Sequence, residues 1–194
     1  MRLIRNGCIT AALLLCSVVG LSCRDRSIPA AEDGRPKVLT TFTVLADLAR
    51  NVAGDRLQVQ SIVKPGSEIH GYQPTPSDIE GASDADLIIE NGLGLELWFR
   101  RFTAAAGPVP TLTLAGAMDP LLISEDAYAG KPNPHAWMSP KRTMAYVDRL
   151  EQAFTRLDPA GAETYSANAA AYKAQLQELD VDRRNTIEAL PANR

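Results

Sequence analysis

The most chemically informative residues of this chain are its two histidines, the only ones among 194 residues. His70 and His135 each lie in a loop rich in glycine and proline, after a strand pattern and before the start of a helix. Neutral imidazole binds zinc, iron and manganese. Because loops at the carboxyl ends of parallel strands line a common crevice, the two histidines could converge on one metal ion. From spacing alone, two solvated surface histidines remain the alternative interpretation.

Other kinds of catalytic site find little support in the sequence. It contains no Gly-x-Ser-x-Gly elbow, no P-loop and no Gly-x-Gly-x-x-Gly fingerprint. Asp78 could orient His70 as a general base, but its place three residues after Thr75 is that of a helix-capping residue. All three cysteines precede residue 24, so the rest of the chain has no thiolate ligand. The residues alone therefore support these catalytic classes less well than they support shared metal ligation by the two histidines.

The composition excludes several other classes of protein. Lys and Arg number 20 against 23 Asp and Glu, which gives a net charge of -3 with no basic block. Such a chain is a poor nucleic-acid binder. Hydrophobic residues make up 45% and charged residues 22%, which is typical of a globular protein and not of a disordered one. A single apolar run also argues against a polytopic membrane protein.

The amino-terminal segment has the pattern of an export signal. A positively charged start precedes an apolar stretch at 11–21, which is too short to span a membrane. The stretch ends in small residues before Cys23, which resembles a bacterial lipobox. We predict that residues 1–23 are a signal peptide with a lipobox, that Cys23 is lipidated and anchors the protein to the membrane, and that residues 24–36 form a flexible tether. Simple cleavage and an uncleaved anchor are the alternatives.

The next part of the chain alternates between strand and helix patterns. The run at 87–89 has no polar residue, as expected for a parallel strand that is buried on both faces. Helical patterns follow at 44–53, after Thr75, and at about 95–105. The β-rich runs are 38–42, 57–63, 87–89 and 111–114. This alternation predicts an α/β fold over residues 37–157, with a mostly parallel sheet flanked by helices.

The carboxyl-terminal part of the chain predicts helices only. One helix begins at Ser139 and Pro140 and continues to about residue 157. A second is predicted over residues 158–190 and would span roughly 45 Å. Its predicted packed face consists of Tyr165, Ala169, Tyr172, Leu176, Leu179 and Arg183. A helix of this length normally packs against other elements along both halves.

Several segments together resemble a known family. Residues 38–55, 65–78, 90–96 and 133–140 are similar, in order and spacing, to the cluster A-I substrate-binding proteins of bacterial ABC transporters, which capture manganese, iron or zinc. Zinc receptors of this family often carry a histidine-rich loop between the two histidine motifs. The corresponding segment here, residues 124–130, contains no histidine. The resemblance therefore favours the manganese or iron branch, with zinc as a further possibility.

The resemblance implies two α/β lobes joined by one long rigid helix, with the metal held between the lobes. His70 matches the first histidine ligand of the family, and His135 matches the second. The other two ligands, typically a Glu or His and an Asp, come from the second lobe. We expect this chain to end at the connector helix, residues 158–190, without the C-terminal lobe. It is therefore expected to bind divalent metal weakly on its own, and its connector helix is expected to expose an apolar stripe that the second lobe would cover.

The resemblance also implies partners and a location. The expected role is the substrate-binding component of a transporter in the periplasm or cell envelope, which delivers its metal to a membrane permease. This role makes or breaks no covalent bond, so we expect a binding protein and not an enzyme. A complementary fragment that carries the C-terminal lobe is a further expected partner. The alternative is a surface adhesin, or a remnant, with a vestigial metal site.

Overall fold

The computed structural model describes residues 34–191 and has an α/β fold. The predicted signal peptide, Cys23 and most of the predicted tether lie outside the described residues. The strands are β1 (Lys37–Thr40), β2 (Gln58–Ser61), β3 (Leu87–Glu90) and β4 (Thr111–Thr113). The helices are α1 (Thr43–Ala53), α2 (Pro76–Ser83), α3 (Phe99–Ala106), α4 (Pro140–Leu157) and α5 (Ala162–Glu188). None of the helices in this part of the chain is long and apolar enough to cross a membrane.

The four strands form one parallel sheet in the order β2-β1-β3-β4, which confirms the predicted fold class. β1 pairs with β3 so that Val38 lies opposite Leu87 and Leu39 opposite Ile88. The first three residues of β3 are buried, as expected for a strand that is covered on both faces. The chain adds β2 on one side of β1 and then β3 and β4 on the other side. This change of direction opens a crevice between β1 and β3 at the carboxyl edge of the sheet.

The helices form two groups. Right-handed crossovers place the helix that joins β1 to β2 on one face, and the two helices that lead on to β3 and β4 on the other. Accordingly, α2 packs against α3, whereas α1 packs against α4 and α5. The tail helices therefore complete the layer that α1 begins.

A hydrogen-bonded cluster joins the turn after α1 to the junction between α4 and α5. The Asp158 carboxylate accepts hydrogen bonds from Arg56 Nε at 2.9 Å and Tyr165 Oη at 2.7 Å. Hydrogen bonds from Tyr165 and then Arg56 lower the pKa of Asp158. Burial, followed by the hydrogen bond to Asp158, raises the pKa of Tyr165 to about 12. Gly161 lies against this cluster, and a β-carbon there would lie 2.6 Å from the Asp158 carboxylate and 2.7 Å from the Tyr165 ring.

Replacement of Gly161 with alanine should therefore destabilise the fold. The added methyl group would push against a fully buried tyrosine ring, and overpacking of this kind costs about 1 to 3 kcal/mol. Urea unfolding followed by circular dichroism measures the loss. Gly81→Ala is the matched control, since Gly81 lies in α2 with no atom within 4 Å of an added β-carbon. Equal stability of the Gly161→Ala variant and the wild type would contradict this packing.

The predicted face of the long helix is covered by the rest of the described fold only in its first half. Tyr165, Ala169 and Leu176 are buried, but Leu179 is 55% exposed. Asp180 is buried in its place, with its carboxylate held by Arg184 and Arg183. The exposure of Leu179 agrees with the expectation that the connector helix exposes part of its apolar stripe, because α5 extends past the residues that pack on the lobe. In the second half of α5 and the residues just after it, the exposed large apolar side chains are Leu179, Val181, Ile187 and Leu190.

Candidate metal centre

The first histidine lies in the loop that leaves the carboxyl end of β2. The Glu68 carboxylate fixes this loop by accepting hydrogen bonds from the backbone N–H groups of His70, at 2.9 Å, and Gly71, at 2.6 Å. These two bonds lower the pKa of Glu68. The loop is also tied to the start of α3, since Trp98 Nε1 donates to the carbonyl oxygen of Ile69 at 2.9 Å. His70 itself is exposed and free to face a ligand.

A capping box closes the same loop, as the sequence predicts. The Thr75 side chain accepts from the Asp78 backbone N–H, and the Asp78 carboxylate accepts from the Thr75 backbone N–H at 2.8 Å. Tyr72 Oη also donates to this carboxylate at 2.9 Å, and its ring packs against Trp98 with centroids 5.3 Å apart. Asp78 is thus occupied as a helix cap and is not a partner of the His70 ring.

The second histidine precedes a 3₁₀ turn, Ala136–Met138, that leads into α4. Ala136 is buried, and Trp137 packs on Phe42 at the carboxyl end of β1 with ring centroids 5.0 Å apart. The His135 ring lies 5.2 Å from the Trp137 ring. Asn133 Oδ1 accepts from the backbone N–H of His135 at 3.0 Å and lies 3.1 Å from Nδ1 of its ring. His135 is thus exposed at the tip of a turn whose next two residues pack onto the sheet.

A buried polar network beneath the turn holds it to the sheet. Asn91 is fully buried at the end of β3, and its Nδ2 donates to the carbonyl oxygen of Pro134 at 2.9 Å. Its Oδ1 accepts from Tyr146 Oη at 2.6 Å. The Glu96 carboxyl group, in a residue that is 6% exposed, accepts from Asn91 N at 2.8 Å and from Thr41 Oγ1 at 2.7 Å. Burial, followed by the charge of Glu96, raises the pKa of Tyr146.

Sequence reasoning missed this network. The segment 90–96 predicts a glycine-permitted turn, and the structure has one, with positive φ at Gly92, Leu93 and Gly94. This turn also delays the start of α3 to Phe99, later than the predicted residue 95. The signal that could have revealed the network is the presence of two polar residues, Asn91 and Glu96, soon after the apolar run at 87–89.

The structure brings the two histidine rings together. Their centroids are 5.6 Å apart and the ring planes are inclined by 63°. An ion held about 2.1 Å from one nitrogen of each ring would place these nitrogens roughly 3 to 3.5 Å apart. Rings at the observed separation are close enough for this arrangement. Burial, followed by the charge of His70, lowers the pKa of His135, which favours the neutral form that a metal requires.

The two imidazoles have no third metal-binding side chain beside them. Within residues 34–191, no group of three or more His, Cys, Asp or Glu side chains could hold a metal ion. Exposed apolar side chains flank the pair instead. Leu97, 78% exposed, lines a cleft that His70 also lines, and Met138, 75% exposed, lines one beside His135. The described residues therefore supply two neutral ligands on an open face.

Comparison with known proteins identifies the family. The family described as zinc-uptake complex component A, periplasmic (ZnuA), matches residues 38–194. The chain belongs to the ZnuA family. This confirms the resemblance to metal-binding components of ABC transporters. A transport component is not an enzyme, which agrees with the expectation of a binding protein.

Individual ZnuA-family relatives are named for several metals. The chain is 41% identical over 189 residues, 97% of its length, to the iron-binding protein YfeA of Yersinia pestis, of which it covers 61%. It is 35% identical to the manganese-binding lipoprotein MntA of Halalkalibacterium halodurans, with 95% of the chain and 61% of the relative covered. The chain thus spans about three fifths of the length of these relatives.

Solved structures of the ZnuA-like fold agree with this assignment. The manganese-bound periplasmic metal binding protein of Candidatus Liberibacter asiaticus matches with a TM-score of 0.72 and 32% identity, over 81% of this chain and 59% of that protein. The zinc-bound ZnuA-like domain of Streptococcus pneumoniae AdcA matches with a TM-score of 0.67 and 29% identity, over 76% of this chain and 54% of that domain. These similarities confirm the α/β fold with its long final helix.

Proposed function

We propose that this protein is the extracytoplasmic substrate-binding component of an ABC transporter, and that it captures a divalent transition metal through His70 and His135. The observation that carries the proposal is the meeting of two imidazoles, from loops that are far apart in the sequence, with ring centroids 5.6 Å apart. Within residues 34–191 no third side chain joins them as a possible ligand, so the two imidazoles are the ligands that this part of the chain offers to a metal ion.

Manganese or iron is the proposed cargo, ahead of zinc. The relatives with 41% and 35% identity are named for iron and manganese. The segment between the two histidines also contains no further histidine that could recruit zinc. Two imidazoles alone bind most first-row metals, and harder carboxylate ligands favour manganese. We propose that a Glu or His and an Asp from a second lobe complete the site, and that closure of this lobe covers the exposed Leu97 and Met138.

The proposed setting is the periplasm or cell envelope. The relative MntA and others of the family are named as lipoproteins, and the structural relative from Candidatus Liberibacter asiaticus is named as a periplasmic protein. Cys23, which lies outside the described residues, is the proposed site of lipidation. From this position the protein would pass its metal to the membrane permease, and no covalent bond would be made or broken.

The chain alone should bind its metal weakly. Two neutral ligands leave the double positive charge of the ion without compensation, and water fills the remaining positions. Isothermal titration of the metal-stripped chain should give dissociation constants in the micromolar range or weaker, with Zn²⁺ bound more tightly than Mn²⁺ because imidazole follows the Irving–Williams order. Sub-micromolar affinity for Mn²⁺ would contradict a two-ligand site.

Metal binding should also fade in acid. Each imidazole must be neutral to donate its lone pair, and the ordinary pKa of histidine is about 6.5. The lowered pKa of His135 keeps that ring neutral further into the acid range than an ordinary histidine. Binding should therefore be complete at about pH 8 and decline below about pH 6. Zn²⁺ titrations across this range measure the decline, and a constant affinity from about pH 5 to 8 would exclude imidazole ligands.

A further inference from the structure

The ring of His135 has a neighbour that decides which of its nitrogens carries the proton. Asn133 Oδ1 lies 3.0 Å from the backbone nitrogen of His135 and 3.1 Å from Nδ1 of its ring. A backbone N–H can only donate a hydrogen bond, so the atom that faces it must be the amide oxygen and not the amide nitrogen. The orientation of the Asn133 side chain is therefore determined by the backbone.

This orientation in turn determines the tautomer of the histidine. An amide oxygen can only accept, so Nδ1 of a neutral His135 must carry the proton and donate it to Asn133. The lone pair then resides on Nε2. If Nδ1 were unprotonated, two lone pairs would face each other across 3.1 Å. Free histidine has no such constraint, so the arrangement is imposed locally by Asn133.

Asn133 is itself held in place by its surroundings. Its backbone N–H donates to the carbonyl oxygen of Leu121 at 2.7 Å, which closes a short hairpin. The same hairpin has a bridge between Leu122 and Pro132, and Arg142 of α4 holds its base through the carbonyl oxygen of Asp119 at 2.8 Å. The acceptor that orients the histidine ring is thus fixed to the scaffold before any ligand arrives.

We infer that Asn133 is a positioning residue that holds His135 as the Nδ1–H tautomer and so makes Nε2 its metal-binding nitrogen. The tautomer follows from the hydrogen bonds alone, whereas the use of Nε2 as a ligand rests on the proposed function. A ligand whose other nitrogen donates to a fixed acceptor is oriented in advance and more basic, and loss of such an acceptor lowers metal affinity by about 10- to 100-fold.

The tautomer can be read directly by NMR, because the chain has only two imidazoles. Long-range ¹H–¹⁵N spectra of the metal-free chain, produced without a histidine tag, should be recorded at about pH 8, where imidazole is neutral. His70→Gln removes one set of signals and so assigns the other. The inference predicts a protonated, pyrrole-type Nδ1 and a pyridine-type Nε2 for His135. A pyrrole-type Nε2 on His135 would overturn it.

Two substitutions of Asn133 distinguish a role in orienting the His135 ring from a role in folding. Asn133→Ala should move His135 toward the Nε2–H tautomer and weaken Zn²⁺ binding by about 10- to 100-fold. Asn133→Asp keeps an acceptor at the same place and should retain both the Nδ1–H tautomer and the affinity. An unchanged tautomer or an unchanged affinity in Asn133→Ala would overturn the inference. If Asn133→Ala is misfolded by circular dichroism, the wild-type and Asn133→Asp spectra still decide the tautomer.

The tautomer of His135 and the Zn²⁺ affinity test the role of Asn133 and the proposed function separately. The tautomer is measured without metal, so it tests the role of Asn133 even if the wild-type chain fails to bind Zn²⁺. That failure would refute the proposed function and, with it, the use of Nε2 as a ligand. Zn²⁺ binding by a wild-type chain whose His135 is the Nε2–H tautomer would refute the inference and leave the proposed function intact.

Discussion

Replacement of either His70 or His135 with alanine should lower the affinity for Zn²⁺ by about 100-fold. A four-ligand zinc site binds with roughly 10 to 16 kcal/mol, or about 3 kcal/mol for each ligand. A loss of this size corresponds to about two powers of ten in the dissociation constant. Because each ring supplies one of the two protein ligands to the same ion, the double variant should lose Zn²⁺ affinity beyond either single variant, with no remaining imidazole ligand. Isothermal titration of the two single variants and the double variant measures this.

The same variants should remain folded. Both histidines are exposed, and substitutions at exposed positions change the free energy of unfolding by about 0.5 kcal/mol or less, with somewhat more expected at His135 because its ring contacts Trp137. Ser67→Ala is the matched control, an exposed residue in the same loop as His70. Normal Zn²⁺ affinity in either histidine variant would contradict a shared site.

In cells that carry either histidine variant, loss of metal accumulation would favour a transport receptor. Normal metal accumulation with normal adhesion would favour a surface interaction protein.

The largest effect on stability is expected at Glu96. Its carboxyl oxygens accept three hydrogen bonds, from Thr41 Oγ1, Asn91 N and, at 3.2 Å, Gly92 N. Glu96→Ala would leave these donors buried without an acceptor, and each unsatisfied buried group costs about 1 to 3 kcal/mol. We expect the free energy of unfolding to fall by about 3 to 5 kcal/mol, as measured by urea denaturation.

Glu96→Ala needs a matched control and should also affect the candidate metal site. Glu178→Ala alters an exposed glutamate on α5 and should change stability by about 0.5 kcal/mol or less. Because Asn91 connects Glu96 to the Pro134 carbonyl, Glu96→Ala should also loosen the turn that carries His135 and weaken metal binding. A loss of less than about 1 kcal/mol in Glu96→Ala would show that the network does not hold this edge of the sheet together.

The features that the sequence predicted correctly depend on local patterns. The capping box is defined by Thr75 and Asp78, two residues three positions apart, and forms as the spacing indicates. The apolar run at 87–89 predicts a strand that is buried on both faces, and β3 is such a strand. The placement of His70 in a loop after β2 follows from the same alternation of strands and helices. His135 precedes a helix as predicted, but the strand predicted before it is absent from the described residues, since β4 ends at Thr113 and two 3₁₀ turns lie between β4 and His135.

The features that were missed depend on contacts between distant residues. The network around Asn91 joins residues 41, 91, 96, 134 and 146, and no local pattern reports bonds across such separations. The helical repeat of α5 places Leu179 on the same face as Leu176, but the first buried position after Leu176 is Asp180, which the repeat does not indicate. Which residues of a long helix are covered depends on where its neighbours end, and this is a property of the tertiary structure.

The central claim is that one metal ion binds between two imidazoles, and NMR titration of the ¹⁵N-labelled chain with Zn²⁺ tests it most directly. We expect the ring signals of His70 and His135 to change together along one binding isotherm that fits one Zn²⁺ ion for each chain. A response from one ring alone, or from the two rings at different stoichiometries, would contradict a shared site.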